Sequence, residues 1–454
     1  MLLYVGKVSV WPTLTVITID VVALFFVGLR LRGVVGSLLV VQAVYWGLGY
    51  IARPVALLTF NPAPQLGDPL ADVRLASAGY ERTIAAALSP TVFGMTLYVG
   101  LMTLVVLVVR RRAVAGTTRF ELALAHGFVL FSLGWTFRVV YLVLRDNLTL
   151  TLSAIAAIAA GGIILFARKP FTPVVIAALG GSELIWSVLT QSKTPFLALA
   201  LWVLIRLISR GGITWRVAGI GAVALGVFFF IQDLRVDAGR LQNTESYASA
   251  YPLWVRPMLP LIARFDALQS SADAWFAGPA SWMPPLEATG QWLTSLLPQF
   301  LLPDAKPLAG AQWGEEVRRM SLNVTPGAAL AEGPFAEGWV IAGWPGVAFG
   351  ASFMALAVIV IAALLTARNT AAALLGLAMT SAPLLFERGV LAFGEGLGKG
   401  LQTTIVAGAV LFLLRMKTSR GKPRGIVATR GRGSRPLGAP DARLPGVSRR
   451  DREE

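Results

Sequence analysis

The chain has 454 residues, of which 56% are hydrophobic and 14% are charged, and its formal net charge is +16. Soluble domains carry about 25% charged residues, so this composition excludes an ordinary soluble protein and indicates a polytopic all-α membrane protein. The chain has no cysteine, which excludes disulfides, thiolate metal sites and cysteine nucleophiles. A single histidine, His126, argues against a zinc site or a Ser-His-Asp triad, and we expect neither a metal nor a cofactor.

Eleven apolar segments are predicted as membrane spans: 11–29, 33–52, 90–109, 120–144, 148–167, 171–190, 195–209, 214–232, 338–366, 370–387 and 397–415. A helix of about 20 residues crosses the hydrocarbon core of a bilayer. Lys and Arg cluster in alternate short connections, on the same side as a basic C-terminal tail. Because short basic loops stay in the cytoplasm, the predicted topology is N-out and C-in, in a bacterial cytoplasmic membrane.

The predicted organisation has four parts: an N-terminal transmembrane bundle of eight helices (1–232), a large outer loop with amphipathic helices (233–337), three C-terminal transmembrane helices (338–415) and a tail (416–454). From Arg415 to Glu454 there are twelve Lys or Arg and four Asp or Glu, which accounts for half of the net charge. A tail rich in Gly, Pro and Arg is typical of a disordered cytoplasmic segment attracted to anionic lipid. We therefore expect no nucleic-acid partner.

Charged residues inside the predicted spans are costly and are functional candidates by default. Candidates of this kind include Asp20, Glu121, His126, Arg138 and Glu183. At 1.5 Å per residue, Arg138 and Glu183 lie at nearly the same depth, about 10 Å below the outer surface. They either form a buried ion pair that clamps two helices or both line an outward-facing cavity, with Lys193 at its mouth.

The large outer loop carries a second set of candidates. Arg256 and Arg264 are eight residues apart, a spacing that places both on one face of a helix. Its tryptophans favour an amphipathic helix along the bilayer surface, or alternatively platforms for sugar rings. They are Trp254, Trp275, Trp282 and Trp292. The loop also contains Arg318, Arg319 and Glu332, and it ends at Glu337, which is either a helix cap or an acid–base group.

Arginines and lysines around an outward-facing cavity suit an anionic ligand, because guanidinium binds phosphate oxygens bidentately. On the outer face of a bacterial membrane, the abundant phosphorylated membrane substrates are polyprenyl-diphosphate-linked sugars. In a glycosyl transfer from such a donor, arginines stabilise the departing diphosphate and a carboxylate deprotonates the accepting hydroxyl.

Across residues 180–350 the layout resembles the O-antigen polymerase (Wzy-like) family of oligosaccharide repeat-unit polymerases, and more distantly the O-antigen ligases. The resemblance is carried by LTQSKTPFLALAL at 189–201, IARFDALQSS at 262–271, LTSLLPQFLLPDAKP at 293–307 and GPFAEGWVIAGWPGV at 333–347. It implies polymerisation of lipid-linked repeat units, with Arg264, Lys193 and Arg256 on the diphosphate and Glu337 acting on or orienting the acceptor.

Arg138, Glu183, Arg318 and Arg319 complete the predicted substrate-binding residues. The implied partners are a polyprenyl-diphosphate-linked oligosaccharide, the lipid bilayer, and a chain-length regulator or flippase. Two alternatives stay open: ligation or single-sugar transfer on the same architecture, and transport of a polysaccharide or lipid.

Overall fold

The computed structural model describes residues 9–31, 33–64, 70–109, 122–167, 173–211, 214–237, 250–265, 267–302, 306, 308–319, 332–380 and 387–420. The chain divides into two units, Met1–Phe412 and Leu413–Glu454, and of the second only the end of a helix up to Arg420 is described. The predicted disordered tail from residue 421 onward and Glu121 lie outside the described residues.

The described chain is almost entirely helical. In chain order the longer helices are α1 (Trp11–Leu31), α2 (Gly33–Phe60), α3 (Tyr80–Val109), α4 (Leu124–Leu144), α5 (Asn147–Phe166), α6 (Pro173–Thr190), α7 (Thr194–Gly211), α8 (Trp215–Asp237), α9 (Leu268–Ala277), α10 (Pro285–Leu296), α11 (Pro334–Thr366), α12 (Thr370–Met379) and α13 (Val390–Arg420). Shorter helical turns lie at Val73–Ala76, Arg256–Met258, Leu259–Arg264, Gln299–Leu301, Ala309–Gln312 and Trp313–Val317.

Nine of these helices, within the described ranges, are long and apolar enough to cross a membrane. They are α1 to α6, α8, α11 and α13. The predicted spans 195–209 and 370–387 correspond to α7 and α12, which are outside this set. The prediction of an all-α, multi-pass membrane protein is therefore confirmed, and the count of eleven spans stays a prediction.

The first predicted outer connection consists of residues 53–89, between the second and third predicted spans. It contains more helix than a loop between two spans. α2 continues through a π-helical turn at Leu48–Ala52 and ends only at Phe60, where it is followed by Asn61 with a positive φ of 40°. Pro54 lies just beyond the π turn, and such a turn shifts the hydrogen-bond register so that a helix can continue past a proline. α3 in turn begins at Tyr80, ten residues before the predicted span at 90.

The helix after the large loop is broken. Within α11, Ala342 and Gly343 leave the helical backbone, and Gly343 has a φ of 61°. Gly338 and Gly346 then lie so close that a Cβ on either one would overlap the carbonyl oxygen of the other. The sequence predicts one continuous span from 338, because hydropathy alone does not distinguish a straight helix from two packed halves.

The first part of α11, which we call the half-helix (334–341), folds back on the part that follows. Gly350 packs against the Pro334 carbonyl just as Gly346 packs against that of Gly338. Both pairs are centred on Ala342, so the half-helix runs antiparallel to the rest of α11. Glycine is required where backbones approach this closely.

Several connections that were predicted on the outer side meet at one end of the bundle. The Ala267 backbone N–H donates to the Gly49 carbonyl (3.1 Å), and the Thr91 and Ser271 hydroxyls are 3.0 Å apart. α9, which belongs to the large loop, packs against α3 and α11. The loop is thus folded onto the helix ends, and the side of the membrane that this end faces stays a prediction.

Candidate functional site

A group of charged side chains joins the large loop to the start of α13. We call it the carboxylate–arginine cluster, and it consists of Arg264, Glu332, Glu337, Glu387 and Arg388. It forms because the chain before the half-helix lies beside the chain before α13. A backbone hydrogen bond of 3.0 Å from Gly333 N–H to the Glu387 carbonyl links the two segments directly.

The most accessible pair in this cluster is Arg264 with Glu387. The Arg264 guanidinium donates to both carboxylate oxygens of Glu387, with an Nη2–Oε2 distance of 3.2 Å. The side chains are 39% and 15% exposed. Burial alone would lower the pKa of Arg264, but the charge of Glu387 and the hydrogen bonds with Glu387 and Tyr45 together raise it. Arg264 is therefore a permanent cation within reach of solvent.

Lys193, which was predicted at the mouth of an outward-facing cavity, is buried at 7% exposure and packs on an aromatic ring. Its ammonium is 3.9 Å from the centre of the Phe228 ring and donates to the Gln232 side chain. Phe228 packs on Phe265, the neighbour of Arg264, with ring centres 5.7 Å apart. Two aromatic rings in contact thus connect Lys193 to Phe265, the residue that follows Arg264.

Glu337 caps α13. Its buried Oε1 accepts hydrogen bonds from the backbone N–H groups of Val390 (2.8 Å) and Leu391 (3.2 Å). A carboxylate at the N-terminus of a helix satisfies donors that have no partner within the helix. Of the two interpretations of Glu337, the helix cap matches its contacts. The helix that it caps is α13, however, and not α11, to which Glu337 belongs.

Glu332 and Arg388 form a second pair beside this cap. The Arg388 guanidinium donates from Nε to Glu332 Oε2 (3.0 Å) and from Nη2 to Oε1 (3.2 Å), and Glu332 is fully buried. Burial raises the pKa of Glu332, and the charge of Arg388 opposes that rise. This pair and the Glu337 cap hold the half-helix to the start of α13, and so position Glu387.

Substituting Gly389 with alanine is expected to disrupt this junction. A Cβ on Gly389 would overlap the Glu337 carboxylate. We expect a loss of about 1–3 kcal/mol in unfolding free energy, measured as a lower thermal midpoint in detergent.

Gly408→Ala is the matched control, because Gly408 lies on the same helix and a Cβ there meets nothing within 4 Å. Equal midpoints for the two variants would contradict the contact between Gly389 and Glu337.

A separate network ties the first connection to the large loop. Arg74 donates from Nη2 to both Asp72 and Asp273 at 2.7 Å, and Gln269 donates to Asp72 at 2.7 Å. Arg318 Nε is 3.3 Å from the buried Asp273 carboxylate. Burial alone would raise the pKa of Asp72, but the hydrogen bonds from Arg74 and Gln269 lower it overall. Arg318 is therefore part of a charge-balanced clasp between two connections.

The other two loop arginines lie apart from the cluster. Arg256 belongs to a 3₁₀ turn ahead of the short helix Leu259–Arg264, and its Nε donates to the Tyr251 carbonyl at 3.0 Å. Arg256 and Arg264 thus lie in consecutive helical turns rather than in one continuous α-helix, and their common face stays a prediction. Arg319 is exposed, with a φ of 57°.

The loop tryptophans do not define a single amphipathic helix either. Trp254 is 76% exposed in a turn, and Trp275 stacks on Trp339 with ring centres 6.0 Å apart. Trp282 lies outside both loop helices and donates to Glu316 at 2.7 Å. Trp292 lies on α10.

Arg138 and Glu183 form an ion pair buried between α4 and α6. Both guanidinium Nη atoms donate to the carboxylate, at 2.9 and 2.7 Å, and the side chains are 1% and 0% exposed. The guanidinium lies 5.1 Å from the ring centres of both Trp135 and Trp186. The sequence analysis offered a buried ion pair or two residues that line a cavity. This geometry matches the buried ion pair, which clamps the two helices together. Asp20 is also partnered, since Thr96 donates to it at 2.7 Å.

The sequence analysis missed Glu387 and Arg388. The signal was the FERG stretch at 386–389, where opposite charges lie at the junction between a predicted span and an outer connection. Within the described residues, no group of three or more His, Asp or Glu is arranged to hold a metal ion.

Comparison with known proteins adds no assignment: no family model, no curated protein and no solved structure matches this chain.

Proposed function

We propose that the protein is a membrane glycosyltransferase that extends a polyprenyl-diphosphate-linked oligosaccharide, as the resemblance to O-antigen polymerases implies. The observation that supports this most is the Arg264–Glu387 pair. It combines an anion-binding guanidinium and a carboxylate at a partly exposed position. In this proposal the site faces outward from the bacterial cytoplasmic membrane and the C-terminus is cytoplasmic.

The paired arrangement suggests how the reaction proceeds. In the free protein the Arg264 guanidinium is hydrogen-bonded to the Glu387 carboxylate. An incoming diphosphate competes for that guanidinium, because phosphate oxygens fit its bidentate geometry. Its binding releases the Glu387 carboxylate, which becomes available as a general base.

The transfer step then balances as follows. The acceptor hydroxyl oxygen forms a bond to the anomeric carbon of the donor sugar, and its proton passes to Glu387. The bond between that carbon and the diphosphate oxygen breaks, and polyprenyl diphosphate leaves with the electron pair. Arg264 and Lys193 stabilise the charge that develops on the diphosphate. Since the hydrogen bonds of Glu337 are taken up by α13, the role of base falls to Glu387 and Glu337 positions it.

A gene deletion tests the proposed function in the organism that carries the gene. We expect surface polysaccharide on a gel to change from long chains to a single repeat unit, and the wild-type gene to restore the long chains. Unaltered polysaccharide in the deletion strain would contradict the proposal.

A transporter of lipid-linked saccharide is the second candidate, and the broken helix α11 favours it. Helices interrupted near a substrate site are typical of transporters, and the break at Ala342–Gly343 separates two packed halves. The two functions differ in product. A transferase in vesicles forms a new glycosidic bond, whereas a transporter moves the donor across the bilayer and leaves it chemically unchanged.

A further inference from the structure

The surface of α10 divides into three faces. With about 100° between successive residues, Ala288 and Ser295 fall on one face, and both are buried. Glu287, Gln291 and Thr294 fall on a second, polar face. Leu286 and Leu293 fall on a third face, where they are 84% and 54% exposed. Leu297, which is 44% exposed, directly follows the end of the helix.

The buried face of α10 lies on α13, a predicted span. A Cβ on Gly394 would overlap Ser295 and Trp292, and a Cβ on Gly398 would overlap the Ser295 carbonyl. Gly398 is eight residues into α13. At 1.5 Å per residue, it is about 12 Å from the beginning of the helix. The candidate membrane span in α13 is 27 residues long and ends at Met416, and about 20 residues fill the hydrocarbon core. The contact between α10 and α13 is therefore level with the boundary between headgroups and acyl chains.

Two lysines lie at the same level. Lys399 follows Gly398 directly and is exposed. Lys306 donates to the Ser295 carbonyl at 2.9 Å, near the C-terminal end of α10. Lysines at this depth are typical of the headgroup region, where their charge faces lipid phosphates.

We propose that α10 is an interfacial helix whose leucine face (Leu286 and Leu293) contacts the acyl chains of the leaflet at this end of the bundle. The occupant of this face is lipid, because α10 is held against the predicted span α13 at the level of the boundary between headgroups and acyl chains. Its polar face turns to the headgroups and water. This proposal does not depend on the proposed function, since it concerns only how the large loop is anchored.

Site-directed labelling tests the proposal in the full-length protein. Because the chain has no cysteine, single-cysteine variants carry one label each. We would attach an environment-sensitive fluorophore to Leu293→Cys, to Glu287→Cys on the polar face, and to Ile405→Cys, a 69% exposed position on α13. The probe membrane is a phosphatidylcholine–phosphatidylglycerol vesicle containing lipids with a quencher at a shallow or a deep acyl position.

We expect the label at Leu293 to be quenched at least about twofold more than the label at Glu287, and more by the shallow than by the deep quencher. The label at Ile405 should be quenched by the deep position. Equal, weak quenching at 293 and 287 would overturn the proposal. Blue-shifted emission at 293 without lipid quenching, together with energy transfer between labelled copies, would also overturn it, because a second protein copy would then cover the face.

Discussion

Replacing Arg138 with methionine is expected to destabilise the helix bundle by about 3–5 kcal/mol. The substitution leaves the Glu183 carboxylate buried between α4 and α6, with neither of its two guanidinium hydrogen bonds. An unpaired charge in a membrane interior has no water to solvate it. The thermal midpoint of the purified protein in detergent should fall clearly below that of the wild type.

The double variant Arg138→Met with Glu183→Met distinguishes a clamp from a substrate site. Both side chains are almost completely buried, so apolar replacements of similar size remove the charges together and should restore most of the lost stability. If the double variant is stable and active, the pair is structural. A single Arg138→Met variant as stable as the wild type would contradict the helix clamp.

Replacing Glu387 with glutamine is expected to abolish transfer while leaving the fold intact. The amide keeps the size of the side chain and a hydrogen-bonding oxygen for Arg264, but it cannot accept a proton from the acceptor. A general base contributes roughly 10²- to 10⁴-fold to a rate. Arg264→Ala should remove chain extension as well, because it leaves the departing diphosphate without its guanidinium, a loss of about 10²- to 10³-fold.

Arg82→Gln is the matched control for these variants, since Arg82 is an exposed arginine in the first turn of α3. The measurement is the rate of chain extension at equal amounts of folded protein. Normal long-chain polymer in the Arg264→Ala variant would exclude Arg264 from the mechanism.

Part of this structure could be predicted from the sequence, because it depends only on apolar content and on the geometry of single helices. The apolar content and the length of the spans determine the class, because a bilayer accepts few backbone structures. The common depth of Arg138 and Glu183 followed from the fixed rise of an α-helix, which holds whatever the neighbouring helices do. The sequence does not show which side of each helix faces its neighbour. Only the structure therefore shows that Arg138 and Glu183 form a pair.

The carboxylate–arginine cluster could be predicted only in part, for a related reason. Glu337 was recognised as a candidate, yet its partners Val390 and Leu391 lie more than fifty residues further along the chain, and no local pattern links them. The half-helix was missed because Gly343 and Gly346 lie within a long apolar run. Hydropathy alone does not show that the helix breaks there. Arg256 was placed on a helix by spacing alone, whereas Pro257 and Pro260 limit the chain to a turn and a short helix.

The central claim is that Glu387, held by Arg264 in the free protein, is the base for glycosyl transfer. The most direct measurement is extension of a polyprenyl-diphosphate-linked oligosaccharide by the purified protein in lipid vesicles, comparing the wild type with Glu387→Gln. We predict chains longer than one repeat unit from the wild type, and none from the variant although it still binds the donor. Extension by Glu387→Gln at the wild-type rate would contradict the claim.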